Sequence, residues 1–414
     1  MELMRNRIRP YAWGSRTAIA ELLGEPVPSP HPQAELWLGA HPGDPSEVVV
    51  HGVPERLDER IAADPDAQLG PDVTARYGGR LPFLLKVLAA DQPLSLQAHP
   101  SLDQADKGFD AEDAAGIPVN HPNRNYKDRF HKPELICALT EFHALCGFRD
   151  PQRTVDVLAG LKAPELDHYL ALLSGQPDAH GVRALFSTLM TLPQTALNTL
   201  LEAVLAAAAA RLGEGSEHAG DYRLLLELGE RYEGDSGVIA ALMLNRVVLD
   251  PGQALYLPAG NLHAYLQGVG VELMANSDNV LRGGLTPKHV DVPELMRVLD
   301  FTAGDREVLE GDADGPHEVV YRTGAAEFEL SRIELAGPDA GDIVPLPAGL
   351  PQVVLCTEGS VELADAAGDR LVLQRGQSAW IPASDTGIGV WGDGTVYRAT
   401  VGSAEPVDPT DSPS

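Results

Sequence analysis

The stretch PLSLQAHPS, residues 93–101, alternates in character. Leu94, Leu96 and Ala98 fall on one face of a strand, and Ser95, Gln97 and His99 on the other. An amide oxygen and an imidazole therefore project together. Further on, NYKDRFHKPELICAL (125–139) sets a carboxylate, Glu134, at the start of an apolar strand just past Pro133. In a third piece, DPGQALYLPAGNLHAYLQG, a short strand runs into a turn over Pro258 to Asn261. Gly260 is free to take positive φ there, and His263 opens the next strand. Taken singly, these are a solvated face, an edge carboxylate and a satisfied core histidine. Taken together, Gln97, His99, Glu134 and His263 suit a borderline divalent cation such as Zn²⁺, Fe²⁺ or Mn²⁺. The densest polar passage, GVGVELMANSDNVLRGGLTPKHVD, follows His263 directly. It carries Asn276, Asp278, Asn279, Arg282, Lys288 and His289, a candidate wall for the same site.

The elements that must position these residues are mostly strands. Residues 1–150 hold short strand-like runs between Pro- and Gly-rich turns. Residues 151–235 change to Ala- and Leu-rich helical spacing with few β-branched runs, an α-helical insertion expected to cap or shape the pocket. Strand-like runs return over 236–317, with a short helix at DVPELMRVLDF, and again over 318–400. The polar tail, 401–414, is expected to be disordered. The Gly, Pro-x-Gly and His spacing of Gly252, Pro258, Gly260 and His263 resembles the second motif of the cupin barrels, in which that histidine binds a metal. LVLQRGQSAWIPASDTGIG repeats the scaffold, with Gly376 and Pro382 in register. Ser384 stands in place of Gly260, and Gly387 in place of the histidine. The expected fold is therefore mainly β with an α-helical insertion: two tandem cupin (jelly-roll) barrels. The C-terminal barrel lacks a metal site.

Composition narrows the partners. The chain has 414 residues, 31 Lys and Arg against 60 Asp and Glu, and a formal charge of −29. Such a field repels phosphate backbones and anionic lipid, so neither nucleic acid nor membrane is expected as a partner. A phosphorylated substrate needs local cations. Cys137, Cys146 and Cys356 match no metal spacing and cannot all pair, which points to reduced thiols and a cytoplasmic location. MELMRNRIRPYAWGS has no apolar leader core, so no signal peptide is expected, and AVLAAAAA is too short to span a bilayer.

YAWGS, AELWLGAHP, LSLQAHP, NYKDRFHKPE and HAYLQGVGVELMANSDNVLRGGLTPKH, in this order, resemble the type I mannose-6-phosphate isomerases, or phosphomannose isomerases, over most of the chain. The resemblance implies interconversion of mannose 6-phosphate and fructose 6-phosphate through a cis-enediol(ate), and supply of mannose units for nucleotide sugars. It implies one Zn²⁺ per chain, held by Gln97, His99, Glu134 and His263. It places Arg282 and Lys132 in the catalytic centre with Asp278 nearby, and gives the phosphate to Ser95, Lys86 and Lys288. Ring opening falls to His131, His99 or Asp278. Two positions depart from the family: Phe130 replaces an Asn, and Gly283 an Ala. The first puts one loop hydrogen bond in doubt, and the second adds flexibility beside Arg282.

Chemically, an aldose–ketose exchange needs a base at C2 and positive charge at the developing oxyanion. A protonated lysine is a poor base, but cationic neighbours and burial favour its neutral form. Lys132, or a carboxylate or metal-bound water near it, is the proton carrier by this reading. Lys86 sits inside the apolar run FLLKVL. It needs a counter-charge, a bound phosphate in a barrel lumen, or a path to water. The partner expected is a small sugar phosphate, and the chain a monomer or weak homo-oligomer. An Fe²⁺ cupin dioxygenase and a non-catalytic sugar-phosphate sensor are the competing readings.

Overall fold

β-branched and aliphatic runs bounded by Gly, Pro and Asn become strands that close around the chemistry-bearing residues. The computed structural model describes residues 1–337 and 343–403. The tail from residue 404 on lies outside the described residues. The strands of the first two-thirds are β1 (Glu2–Arg5), β2 (Arg7–Arg9), β3 (Glu35–Leu38), β4 (Glu47–Val50), β5 (Val53–Arg56), β6 (Phe83–Ala90), β7 (Leu96–Ala98), β8 (Glu134–Ala138), β9 (Phe142–Phe148), β10 (Leu244–Leu249), β11 (Ala254–Leu257), β12 (His263–Ala275) and β13 (Leu281–Gly284). Those of the last third are β14 (Asp312–Ala313), β15 (Glu318–Tyr321), β16 (Glu329–Gly337), β17 (Val344–Pro345), β18 (Gln352–Ala364), β19 (Arg370–Gln374), β20 (Ser378–Ile381) and β21 (Gly389–Thr400).

β12 organises the first sheet. Its first half pairs antiparallel with β7 and β9, and its second half with β6 and β8. The strand passes from one layer to the other at a register shift after Tyr265. Gly268 follows with φ +124, and a Cβ there would lie 2.7 Å from Glu141 O. Only glycine fits that bend. The two layers face each other, and the space between them is the site. β6 is buried along its whole length because both its faces are covered. Leu85, Val87 and Ala89 pack against the C-terminal aromatics Tyr321, Phe328, Trp380 and Tyr397, while Leu84, Lys86 and Leu88 face the interior.

Between β9 and β10 run the helices Pro151–Gly160, Asp167–Gly175, Ala179–Met190, Gln194–Gly213 and Ala219–Arg231. The apolar run AVLAAAAA proves to be part of a 20-residue helix, long and apolar enough by length and composition to cross a membrane. Leu197, Leu200, Leu201, Val204 and Ala208 of that helix pack into the core shared by the helices and the first sheet.

The C-terminal sheet repeats the local scaffold. A strand, a turn through Gly376 at φ +83, β20, a second turn and the long β21 follow one another, as β10, Gly252 at φ +90, β11 and β12 do. The first 150 residues do not all join the first sheet. β1 crosses to the C-terminal one, pairing Leu3 with Ala379, and β4 and β5 extend from it. This covers the edge of β20 and buries Met4 in the shared core.

Candidate metal centre and cavity

Cross-strand register sets three side chains in one row. Gln97 on β7 lies opposite His263 on β12 and opposite Arg282 on β13. Glu134 enters from the other layer on β8, flanked by Leu257 and Met274. His99 follows β7 directly. His99, Glu134 and His263 are each 1% exposed.

Backbone contacts fix both imidazole tautomers. His99 Nδ1 lies 2.7 Å from Asn279 O, and His263 Nδ1 3.0 Å from Asn261 O. A carbonyl only accepts, so each Nδ1 carries the proton and each Nε2 presents a lone pair. Those lone pairs point at the Glu134 carboxylate: His99 Nε2 is 3.2 Å from Oε1, and His263 Nε2 3.3 Å from Oε2. Burial holds the His99 imidazolium back, bringing its pKa down to about 4. Burial alone would raise the Glu134 carboxyl, but positive charge beside it, Lys132 at 3.1 Å, holds it below the usual carboxylate range. His99 Nε2, His263 Nε2 and Glu134 Oε2 are buried and have no hydrogen-bond partner. Three acceptors facing one another away from water are costly unless a cation lies between them. Ligands about 2.05 Å from a tetrahedral zinc stand about 3.3 Å apart, close to the separations here. The residues fit a divalent metal.

The latch behind this centre is Asn279, fully buried. Its Oδ1 accepts from the Lys127 and Asp128 backbone N–H groups at 2.6 and 3.2 Å. Its Nδ2 donates to Asp128 O and Phe130 O at 2.9 and 2.8 Å. The Phe130 departure therefore keeps the loop's backbone bond, and its ring lies beneath the Arg80 guanidinium, 3.2 Å from the centroid. Gly283 does more than add flexibility, because a Cβ there would come within 2.9 Å of Leu262 Cδ1. Replacing Asn279 by alanine frees the carbonyl that orients His99 and lowers metal affinity about 10- to 100-fold, as read by competition with a chelating dye. An unchanged affinity would show that the loop orients His99 without its latch.

The His99 shift also has a sign. The unfolded imidazole titrates near 6.5 and the buried one near 4, so between these values the unfolded chain binds more protons. Stability of the metal-free protein therefore falls as pH drops through that window. Thermal unfolding of the chelated protein, with His99→Gln as reference, measures it. Equal pH dependence in both proteins would contradict the assignment.

A cavity of about 590 Å³ opens beside the centre, lined among others by Ser95, Gln97, Lys132, Glu134, Asp278 and Arg282. Lys132 Nζ is 3.1 Å from Glu134 Oε1, on the same face two residues away. Arg282 is half-buried, with no hydrogen bond or ion pair among the described residues, and burial lowers its pKa. Lys288 stands at the rim, its pKa lowered by burial and by Arg282. Tyr232 reaches the cavity from the end of the helical segment, donating to Pro93 O at 2.7 Å.

Lys86 also lines the cavity, but its charge is already met. Nζ lies 2.8 Å from Glu272 Oε2 and 3.7 Å from Glu35 Oε1, and these carboxylates raise its pKa against the effect of burial. His131 is not brought in. It lies in the segment before β8, and its Nε2 is 2.7 Å from Glu327 Oε1, outside the cavity lining. Glu272 and His41, both cavity residues, carry no signal of their own in the sequence motifs. Glu272 is the buried carboxylate in VELMA whose pKa burial raises. His41 accepts the Gly43 N–H at Nδ1 (3.0 Å) and so presents Nε2–H to Asp278 Oδ1, 3.4 Å away. That contact keeps Asp278 ionised.

A profile described as phosphomannose isomerase type I, catalytic domain, matches residues 1–151. The chain is 38% identical to the mannose-6-phosphate isomerase of Escherichia coli strain K12, over 96% of this chain and 99% of the relative. It is 33% identical to the human mannose-6-phosphate isomerase, over 92% of each. A crystal structure of the Salmonella typhimurium mannose 6-phosphate isomerase bound to fructose 6-phosphate and zinc superposes with a TM-score of 0.87, at 37% identity, covering 97% of this chain and 99% of that one.

Proposed function

The chain belongs to the type I phosphomannose isomerase family, and from that premise we propose how its own residues carry out zinc-dependent interconversion of mannose 6-phosphate and fructose 6-phosphate. The observation that carries the reading is the pair of buried imidazole lone pairs converging on Glu134 beside the unpartnered Arg282.

His99, Glu134 and His263 hold the metal, with Gln97 as fourth ligand from the neighbouring position on β7. Bound zinc supplies Lewis-acid charge that lowers the cost of negative oxygen at C1 and C2 of the sugar. Arg282 faces the same oxygen and stabilises the enediolate as it forms, since no carboxylate competes for its guanidinium. Lys132 moves the proton between C2 and C1, with the buried cavity carboxylate Glu272 as the alternative carrier. Asp278, oriented by His41, assists ring opening, a role that the outward-facing His131 cannot fill from its position. Ser95 and Lys288 take the phosphate. Lys86 acts at the inner end of the cavity as one charge of a balanced triad, which limits how much of the phosphate it neutralises.

The finer architecture follows the same reading. Residues 1–150 and 236–317 form a catalytic cupin barrel, 318–400 a degenerate one, and 151–235 the insertion, with β1 tying the two sheets together. Buried, unpaired Cys137, Cys146 and Cys356 support a reducing cytoplasm, where the protein works as a monomer or weak homo-oligomer.

Lys132→Ala tests the proton-transfer role. The expected result is loss of fructose 6-phosphate formation with sugar-phosphate binding retained. Near-normal turnover would move the role to Glu272.

A further inference from the structure

Where helices Pro151–Gly160 and Ala219–Arg231 meet the edge strand β10, a second cleft of about 580 Å³ opens. It shares no lining residue with the catalytic cavity, and its size falls within the roughly 300–1,000 Å³ of small-molecule sites. Four guanidiniums border it. Arg149 is neutralised by Asp221 at 2.6 Å and Arg153 by Asp305. Arg246 and Arg306 have no carboxylate partner among the described residues. Arg306 spends one Nη2 contact on Thr302 O at 3.3 Å, and its Nε is buried with no acceptor. His218 lines the same space, and Asp156 is the remaining carboxylate.

Two glycines make room for the unpaired pair. A Cβ at Gly220 would stand 2.5 Å from Arg246 Nη2, and one at Gly147 would overlap Arg306 Nε. In a chain of net charge −29, two guanidiniums seated on glycines and left without carboxylates call for an external anion.

We propose that this cleft is a second anion site, taking a small phosphate monoester whose phosphoryl oxygens are gripped by Arg246 and Arg306. Paired guanidinium forks match a phosphate's planar edges in a way that lysines do not. The cleft is larger than a bare phosphate needs, so the organic part of the ester lies against Val157, Val247 and Val308. The floor residue Asn245 pairs with Cys146, which pairs in turn with His263, so the occupant sits two strands from the metal histidine without entering the reaction.

Calorimetric titration of the zinc-loaded protein with glycerol 3-phosphate, and separately with inorganic phosphate, tests this. The wild type is expected to bind two equivalents of the ester, one of them in the catalytic cavity. Arg246→Ala combined with Arg306→Ala is expected to weaken the other by about tenfold or more, with unchanged turnover of mannose 6-phosphate. Arg246→Ala alone, at an exposed position that cannot unfold the protein, gives a partial loss. Inorganic phosphate as tight as the ester would name free phosphate as the occupant of the same site. Identical isotherms for wild type and double variant, or a single equivalent lost only when Ser95→Ala is combined with Lys288→Ala, would overturn the proposal. The binding readout stands whether or not the protein converts sugar phosphates, so it fails independently of the isomerase reading.

Discussion

Arg282→Ala lowers kcat about 100- to 1,000-fold while KM changes far less, the usual cost of removing one preorganised donor from a developing oxyanion. Arg282 lies next to Gln97 across the sheet, half-buried and without an ion pair among the described residues. A guanidinium with no carboxylate partner keeps its donors free for the sugar oxygen, and no ion pair has to break as charge develops there. Arg282→Lys recovers little, because a single ammonium on a flexible stem does not reproduce the planar fork. Steady-state kinetics in both directions with zinc saturating measure this. A rise in KM with kcat intact would place Arg282 on the ground-state phosphate instead.

Glu134→Gln removes zinc binding and activity together. The loss of affinity exceeds the roughly 10- to 100-fold that follows loss of a supporting partner, because the carboxylate supplies the only negative charge among the buried acceptors. Stability separates this from simple damage. In the chelated wild type the two imidazole lone pairs face an anion. In the variant an amide N–H donates to one of them while Lys132, 3.1 Å from Oε1, loses its buried counter-ion, so the zinc-dependent shift rather than the chelated stability is the readout. Zinc at a thousandfold excess over its Kd stabilises the wild type by about 4 kcal/mol and leaves the variant unmoved. Differential scanning calorimetry with and without zinc reads both effects. A zinc-dependent rise in the variant's Tm would show that the carboxylate is dispensable.

Much of the centre was legible because alternation is local. Gln97 and His99 stand two residues apart at the end of one strand, as Lys132 and Glu134 do at the start of another, and the Pro-x-Gly turn fixes where His263 emerges. His131 precedes the strand, and only its tertiary contact with Glu327 takes it away from the site. What the sequence hid was tertiary pairing. Lys86 looked like a cation in search of a phosphate because Glu272 and Glu35 are supplied by β12 and β3, both far along the chain. An acid in one apolar run and a base in another was the available signal. His41 was unreadable for a similar reason, since its partner Asp278 lies on another loop and its tautomer depends on Gly43 two residues on. The crossing of β1 into the C-terminal sheet has no local signature, because only the open edge of β20 explains it.

On the proposed reading, one zinc between His99, Glu134 and His263 makes this chain an isomerase. Titrating zinc into the fully chelated protein, while measuring bound metal and mannose 6-phosphate conversion on the same samples, tests it most directly. Activity rising in proportion to bound zinc and breaking at one equivalent per chain is the result predicted. Full conversion with the metal completely removed would contradict it.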